Sequence, residues 1–308
     1  MIHAAQARQI AGDRKGRPYE HNWKGCEEME LEHVATRGGR LSSFLKEEMK
    51  MSTGLMNRLK WQDLIFVNGT PQHTDFAVQA GDVITVALDE PEPDYPAEEG
   101  SLTILYEDAH MLAVDKPAGM LIHPSRSQNT GTLANFVLGY YRRTGQNSAF
   151  HPVTRLDRDT FGIVLLAKNS HIHSLLQSCE IKKTYHALTL GGPEDDAGTI
   201  DAPIARRPLP SLLREVREDG KPSVTEYRVL ERMGDLCKLA LRPVTGRTHQ
   251  LRVHCAYMGF PIIGDPQYGS EESRFGLESQ LLCAKSLEFE HPMTGEKLVL
   301  TSQMDAVL

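Results

Sequence analysis

The chain has 308 residues, and its 34 Lys and Arg against 41 Asp and Glu give a formal net charge of −7. At about 150 residues per domain this length predicts two domains, and a hydrophobic fraction of 40% excludes a chain that is disordered throughout. No apolar run approaches the ~20 residues of a membrane span, and residues 1–30 lack the apolar core of a signal peptide. The five cysteines form no CxxC pair, which argues against a disulfide framework and a cysteine zinc site. We therefore expect a cytoplasmic monomer with no membrane partner.

The N-terminal part divides into a polar arm and a small basic domain. Residues 1–30 carry Gly and Pro among polar residues without a period, which predicts a loosely ordered arm. Residues 31–88 contain two short helical patterns followed by strands joined at an Asn-Gly turn, so we predict a small α/β domain, called here the N-terminal module. Residues 37–60 hold six bases against two acids, a balance of 6 − 2 = +4 within an acidic protein. We predict that these bases contact RNA phosphates: Arg37, Arg40, Lys46, Lys50, Arg58 and Lys60.

Residues 89–100 form a stretch with six acidic residues and three prolines. We expect it to stay extended, to contribute nothing to a core and to be a linker that few contacts cross. Residues 101–308 then contain a hairpin pattern, an amphipathic helix that starts after Thr132, and the buried strand pattern GIVLLA at residues 162–167. Because several later strand candidates are hairpin neighbours, this domain is predicted to be α+β, with a mixed, largely antiparallel central β-sheet flanked by helices and loops.

Two segments of this second domain carry side chains suited to chemistry. In the first, Asp157 lies between Arg155 and Arg158 on a loop that runs into the buried strand, so its carboxylate sits at the rim of a core. If residues 155–158 are considered alone, the alternative is a solvated turn whose charged side chains pair with one another. In the second, Tyr185 lies on an alternating strand, where a core tyrosine is the alternative.

A third segment combines an arginine with two histidines. A tight turn presents Arg247 just before a helix predicted to begin at Thr248, close to helix amides that favour anions. His249 and His254 have no acidic or cysteine companion at ligand spacing. We therefore expect capping or core roles for both histidines and predict no metal site.

Taken together, these segments resemble the RluA family of RNA pseudouridine synthases. The string RLDRDT at residues 155–160 is similar to the family's signature loop, and Lys183-x-Tyr185-x-Ala187 is similar to its tyrosine motif. The string TGRTHQLR at residues 245–252 is similar to its TGRxHQLR motif. The resemblance covers about residues 102–301, and residues 37–88 resemble a small RNA-binding module first found in a ribosomal small-subunit protein.

The resemblance implies roles for individual residues. Asp157 would be the catalytic residue, Tyr185 the active-site tyrosine, and Arg247 the partner of the catalytic carboxylate. Leu251 would pack near the target base. For Arg206 and Arg207, which lie in a Pro-bounded stretch, a solvated loop is the alternative to phosphate contact. The full set of predicted substrate contacts is Arg155, Leu156, Arg158, Thr160, Leu251, Lys116, Arg206 and Arg207.

The implied reaction detaches uracil from its sugar at N1, turns the base and rejoins it through C5, so no atoms are gained or lost. Such an isomerisation needs no cofactor, and none is predicted. Asp157 would serve either as a nucleophile at the sugar or as a base that removes a sugar proton. RNA is the predicted partner, with large-subunit ribosomal RNA favoured and transfer RNA as the alternative.

Two other functions compete with this hypothesis. One is a non-catalytic RNA-binding or ribosome-assembly protein of the same fold, which the loss of Asp157, Tyr185 or Arg247 would have favoured. The other is a nucleoside-releasing glycosidase, although glycosidases usually work with paired carboxylates. Two positions also depart from the family pattern, Thr154 in place of His and Phe161 in place of Ser. We predict that Phe161 fills space behind the Asp157 loop without contacting the base.

Overall fold

The computed structural model of the chain describes residues 29–88, 90, 93–211, 213–269, 276–277 and 279–307. Nearly all of the predicted N-terminal arm therefore lies outside the described residues. The strands are β1 Met29–Val34, β2 Gly39–Arg40, β3 Ile65–Val67, β4 Thr70–Pro71, β5 Ala77–Val78, β6 Val83–Leu88, β7 Thr103–Glu107, β8 Met111–Lys116, β9 His151–Pro152, β10 Phe161–Ala167, β11 Lys182–Leu190, β12 Ala197–Asp201, β13 Ile204–Arg206, β14 Arg214–Val216, β15 Val224–Met233, β16 Leu236–Pro243, β17 Leu282–Glu290 and β18 Lys297–Thr301. The helices are α1 Leu41–Ser43, α2 Thr53–Trp61, α3 Leu133–Arg143, α4 Ser170–Ser178 and α5 Gln250–Tyr257.

The N-terminal module combines a four-stranded sheet, in the order β1-β6-β3-β4, with the helices α1 and α2. A π-helical turn, Phe44–Glu48, continues α1. Helix α2 begins after Ser52, whose hydroxyl accepts a hydrogen bond from the Leu55 amide (3.2 Å) and so caps the helix. Leu59 of α2 and Ile84 of β6 are fully buried in a core that belongs to the module. The module thus contains the helices and strands that its sequence predicts.

The acidic stretch after the module packs more closely than its composition predicts. Tyr95 contacts the core beneath α3, and the Asn135 side chain donates to the Pro96 carbonyl (2.8 Å). The backbone of Glu98 passes so close to Gly139 that any side chain at 139 would collide with it. The expectation that this stretch adds nothing to a core is therefore wrong. Its backbone groups find partners on α3, which the acidic composition does not reveal.

The module and the second domain are also in direct contact. The His171 ring lies 2.9 Å from the Met49 carbonyl, and Lys50 donates to the Pro292 carbonyl (2.6 Å). The Glu90 carboxylate accepts a hydrogen bond from the first amide of α4 (2.7 Å). More contacts cross between the two parts than the sequence predicts, because each of these hydrogen bonds joins a side chain on one side to a backbone group on the other.

The second domain is built on a ten-stranded sheet with the order β12-β15-β16-β11-β17-β10-β8-β7, to which β18 adds beside β17 and β9 beside β10. Among the described strands of this sheet, β10 and β17 form the one parallel pair, with Phe161 opposite Cys283. The other pairs are antiparallel. A mixed, largely antiparallel sheet in an α+β domain is confirmed.

Helices cover both faces of this sheet at its centre. Alternate residues of β8 and β10 point to opposite sides, so Val114 and Val164 pack with α3 while Ala113 and Ile163 pack with α4. Both strands are buried along their whole length. Burial on two faces explains their nearly unbroken apolar sequences. Within the described residues, none of the helices has the length and apolarity needed to span a membrane.

Candidate active site

The loop between β9 and β10 carries Asp157 just before the first residue of the central strand β10. Its ends are fixed, because the Thr154 hydroxyl accepts from the Leu165 amide (2.9 Å) and the Thr160 amide donates to the Asp157 carbonyl (3.2 Å). The Asp157 side chain is 32% exposed, so it is held in place and open to solvent. The Thr160 hydroxyl is buried and accepts from the Gln280 amide (3.0 Å). Thr160 therefore stabilises the loop, and its contact with substrate stays a prediction.

Lys116 has the same kind of structural role. Its side chain is fully buried, and the ammonium donates to the carbonyls of Pro117 (2.9 Å), Met120 (2.9 Å) and Arg158 (2.8 Å). Burial lowers the pKa of Lys116 to about 8, which leaves it charged at neutral pH. The three protons of Lys116 tie the turn after β8 to the Asp157 loop, and its contact with substrate stays a prediction.

The arginine beside Asp157 is Arg252. Its Nη1 donates to Asp157 Oδ2 (3.1 Å), while Nε and Nη2 donate to the two oxygens of Asp265 (both 2.7 Å). Arg247, which was expected to make this pair, is exposed and donates through Nε to the Pro222 carbonyl (3.1 Å). The predicted pairing of Arg247 with the carboxylate is therefore wrong. Arg247 lies in the turn that precedes α5, whereas Arg252 lies on the buried side of the helix.

Several groups fix Arg252 in addition to its bonds with Asp265. Gln267 accepts from Nη2 (3.0 Å), and the guanidinium lies 5.0 Å from the centre of the Tyr268 ring. Asp265 is fully buried and also accepts from the backbone amides of Gln267 and Tyr268. Burial alone would lower the pKa of Arg252, but the carboxylates of Asp265 and Asp157 raise it above its usual value. A permanent, rigidly held positive charge thus faces Asp157.

Tyr185 and Leu251 lie where the sequence places them, against the sheet. Tyr185 is on β11, paired with Leu241 and Ala284, and packs on a core cluster that includes Leu251. Burial and the negative charge of Asp157 both raise the pKa of Tyr185, so its phenol stays protonated near neutral pH. Leu251 is 7% exposed. Tyr185 is therefore a core tyrosine, as the alternative proposed, and also lies near the Asp157 carboxylate.

The two histidines are structural neighbours of the site. Helix α5 begins at Gln250, two residues later than predicted, because His249 adopts a left-handed φ of 58° and ends the preceding turn. His249 hydrogen bonds to the Tyr268 hydroxyl (2.8 Å) and lies 3.9 Å from Asp157. Burial lowers its pKa, so the ring is neutral at pH 7. His254 is buried between Thr225 and a backbone carbonyl. Within the described residues, no three potential ligands gather that could hold a metal ion.

The remaining predicted contacts surround the site. Arg155 and Arg158 are exposed on the Asp157 loop, Arg158 pairing with Asp159 (3.0 Å), and Leu156 is half-buried against the α3 core. Arg206 and Arg207 lie on the exposed hairpin β13–β14 and its turn. This hairpin and the turn before α5 enclose a cavity of about 470 Å³. The cations that line it are Arg206, Arg214, Lys221 and Arg247.

The bases of the N-terminal module fall into two groups. Arg37 pairs with two glutamates, Glu47 (3.3 Å) and Glu48 (3.2 Å), and Lys50 bonds to the second domain. These two side chains are engaged within the protein, which weakens their predicted role in docking RNA. Of the other four, Lys60 is half-buried. The remaining three are exposed: Arg40, Lys46 and Arg58.

Sequence reasoning missed Arg252 and Asp265, although Arg252 lies in the quoted TGRTHQLR string. A signal for Arg252 was present: its neighbours Leu251, Val253 and Cys255 are apolar, and no carboxylate stands three or four residues away on the helix. An arginine on such a helix requires a partner from elsewhere in the chain. Asp265 supplies it from the turn that follows α5.

Comparisons with known proteins add a separate line of evidence. Residues 110–257 match the sequence profile of the RNA pseudouridylate synthase family. The chain is 41% identical over 240 residues to the uncharacterized RNA pseudouridine synthase YlyB of Bacillus subtilis, which covers 75% of this chain and 79% of that protein. It is 32% identical over 293 residues to the ribosomal large subunit pseudouridine synthase C of Vibrio cholerae, which covers 88% of this chain and 91% of that protein. The solved structure of human RNA pseudouridylate synthase domain containing 1 superposes with a TM-score of 0.57 at 29% identity, over 68% of this chain and 87% of that one.

Proposed function

The chain belongs to the RNA pseudouridine synthase family and is an RNA-modifying isomerase, and we propose that Asp157 is its catalytic carboxylate and large-subunit ribosomal RNA its substrate. The observation that carries the proposal is the ion pair of Asp157 with Arg252 (3.1 Å), whose guanidinium is itself held on two sides by the buried Asp265. An open carboxylate with a fixed cationic partner keeps its orientation while it meets a substrate from solvent.

The reaction breaks the bond between ribose C1′ and uracil N1 and forms the bond between C1′ and C5. The hydrogen on C5 leaves as a proton and N1 gains one, so atoms and electrons balance. Arg252 binds Oδ2 of Asp157, and we assign Oδ1 to the sugar, either as nucleophile at C1′ or as base toward a sugar proton.

Tyr185 would receive the target base. A uridine stacked in RNA must first be flipped out at a cost of a few kcal/mol, and stacking on an aromatic ring returns about 1–3 kcal/mol. Because its pKa is raised, the Tyr185 phenol can donate a hydrogen bond or a proton but is a poor base in its resting state. Its position on β11, where the negative charge of Asp157 raises the pKa of the phenol, supports a role at the base rather than at a distant phosphate.

The basic cavity beside the site would bind the RNA backbone. Four cationic side chains line it, and among the lining residues Asp219 is the one carboxylate, already paired with Arg217. The Arg214 amide donates to the Tyr268 hydroxyl (2.8 Å), and that hydroxyl also bonds His249 next to Asp157. Along this path, two residues separate the cavity from the carboxylate, Tyr268 and His249. Arg247 takes a role in RNA binding in this arrangement, in place of its predicted pairing.

The choice of ribosomal RNA is supported by the names of relatives. The Vibrio cholerae protein, called a large-subunit enzyme, matches 88% of this chain, so the match includes residues of the N-terminal module as well as residues 101–308. A separate basic module suits a large structured RNA, because added phosphate contacts raise affinity without sequence information.

The test of the catalytic assignment is Asp157→Asn, which keeps the shape of the side chain and removes its charge. RNA labelled with tritium at uracil C5 should release label with the native protein and none with this variant, whose affinity for RNA should stay within about threefold. Asp159→Asn, two residues away on the same loop and paired with Arg158, is the matched control and should release label. Substantial release by Asp157→Asn would refute the assignment.

The substrate is tested separately by mapping pseudouridines in total RNA from cells that lack the gene and from their parent. We expect one or more sites to be lost from large-subunit ribosomal RNA. Loss confined to transfer RNA would refute the choice of substrate and leave the catalytic assignment intact.

A further inference from the structure

Helix α2 of the N-terminal module has one face that no part of the described chain covers. Met56 and Leu59 point into the core of the module, where Leu59 is fully buried. The opposite face is exposed along its whole length and consists of Thr53, Gly54, Asn57, Arg58 and Trp61.

Trp61 stands out on this face because it is 84% exposed. Single exposed hydrophobic residues are ordinary on protein surfaces, but a tryptophan offers a partner about 150–250 Å² of surface to bury and is enriched at interfaces. Its position is well defined, since it is the last residue of α2 and the next amide, that of Gln62, bonds back to the Leu59 and Lys60 carbonyls. The backbone at Trp61 is thus fixed by a closed helix end, and the indole is open to solvent.

Helix α2 carries positive, unpaired charge beside Trp61, and the nearest carboxylate along the chain, Asp63, lies in the turn after the helix. Helix α2 contains Arg58 and Lys60 and no carboxylate. Arg58 lies three residues before Trp61 and therefore on the same side of the helix. In the part of the chain that the structure describes, neither Arg58 nor Lys60 forms an ion pair, whereas Arg37 and Lys50 are used within the protein.

An aromatic ring beside free cations is the combination that binds single-stranded nucleic acid, since every base has a face to stack and every phosphate a charge to neutralise. A membrane surface fits less well, because an interfacial helix needs a continuous apolar face and here Trp61 is surrounded by Thr, Asn and Gly. We propose that Trp61 stacks on an unpaired base of the RNA substrate while Arg58 and Lys60 contact the adjoining phosphates. This inference rests on the proposed function, and it makes the module a reader of single-stranded RNA away from the target uridine.

Fluorescence reports directly on the proposed contact. The sequence has two tryptophans, Trp23 and Trp61, so Trp23→Phe leaves Trp61 as the sole emitter. In full-length Trp23→Phe protein, single-stranded oligoadenylate should quench and shift the Trp61 emission, and a fully paired RNA duplex at the same phosphate concentration should not. Asp157→Asn can be added to this protein so that binding is observed without turnover.

Affinity measurements separate stacking from charge. Trp61→Ala should weaken binding of the oligonucleotide about 5- to 100-fold with no change in the dependence on salt, and Trp61→Phe should restore most of the loss. Arg58→Gln should instead lower the slope of log affinity against log salt by about 0.7. Gln62→Ala, a neighbouring exposed position, is the matched control and should bind like the native protein.

Three results would overturn the proposal. Unchanged emission together with unchanged affinity of Trp61→Ala would show that the indole does not touch RNA. Equal quenching by duplex and single strand would show that only phosphates are read. Quenching that depends on protein concentration in the absence of RNA would show that a second copy covers the face. Each readout is independent of tritium release, so failure of the catalytic assignment and failure of this contact can be told apart.

Discussion

Replacing Arg252 with lysine separates two functions that one guanidinium performs. The side chain donates two hydrogen bonds to Asp265 and one to Asp157, and the three donors leave in different directions from one plane. A lysine keeps the positive charge but has a single ammonium on a flexible stem, so it cannot reach both carboxylates in this geometry. We expect Arg252→Lys to lose stability and rate together.

The magnitudes follow from burial. Asp265 is fully buried, and removing the partner of a buried ion costs about 3–5 kcal/mol, part of which the lysine charge recovers. At about 2–4 °C per kcal/mol for a domain of this size, the melting temperature should fall by about 5–15 °C. The charge-assisted bond to Asp157 is worth about 1.5–3 kcal/mol, so its loss should slow the chemical step by a factor of about 10–150.

The assay is single-turnover tritium release at saturating RNA, below the melting transition of each variant. Two exposed arginines serve as comparisons. Arg242→Lys, in a surface pair with Glu226 (3.5 Å), should change neither rate nor melting temperature, and Arg247→Lys should weaken RNA binding more than it slows the chemical step. A rate for Arg252→Lys within threefold of native, combined with a large loss for Arg247→Lys, would show that the wrong arginine has been assigned.

Three further substitutions test the surroundings of the site. Phe161→Ser opens a cavity beneath the Asp157 loop and should lower the free energy of unfolding by about 3 kcal/mol, while the single-turnover rate is retained. A variant with a reduced single-turnover rate and the melting temperature of the native protein would contradict this. Lys116→Met leaves three carbonyls without a donor, so activity and stability should fall. The salt dependence of RNA affinity should stay the same, and a flatter slope of log affinity against log salt would mean that Lys116 contacts phosphate. Burial would raise the pKa of Asp305, but hydrogen bonds from Lys238 and His186 lower it to about 2. This carboxylate therefore stabilises the fold above about pH 4, and the stabilisation is lost as the pH falls toward 2. Asp305→Asn should therefore unfold about 1 kcal/mol more easily at pH 7, after allowance for solvent exposure, and match the native protein near pH 2 in urea titrations; an equal difference at both pH values would exclude this origin.

Local patterns were sufficient to predict much of the fold. Helix α3 starts after Thr132 as its sequence predicts, since its apolar period and capping residues act over a few positions. Strand β10 was readable for a similar reason, because burial on both sides demands a continuous apolar run. The loop that presents Asp157 could be placed because it runs directly into that strand.

The identity of its partner could not be predicted in the same way. Whether Arg247 or Arg252 faces the carboxylate depends on where α5 begins, and a single left-handed residue, His249, moves that start by two positions. Residues 250–255 of α5 are all buried, whereas Arg247 is left exposed in the turn before the helix. Helix ends are the least certain feature of any sequence pattern, so the direction of an individual side chain near one is uncertain as well.

Lys116 shows a different limit. Its position after a buried strand, in a turn rich in Pro and Gly, suggests an exposed cation ready for phosphate. One of its three acceptors, the Arg158 carbonyl, is 42 residues away along the chain. Carbonyl oxygens leave no trace in the sequence, and therefore long-range backbone partners of a buried lysine cannot be read from composition or spacing.

The position of Asp265 also explains how Asp157 stays available for reaction. An arginine facing a lone carboxylate tends to form a bidentate pair that uses both carboxylate oxygens. Here Nε and Nη2 are taken by Asp265, so Arg252 can offer Asp157 only Nη1. One oxygen of Asp157 is thereby oriented and the other stays open, while the positive charge is shared between two carboxylates and does not fully neutralise either. The proposed attack on the sugar, or removal of its proton, needs both conditions, and the buried Asp265 provides them.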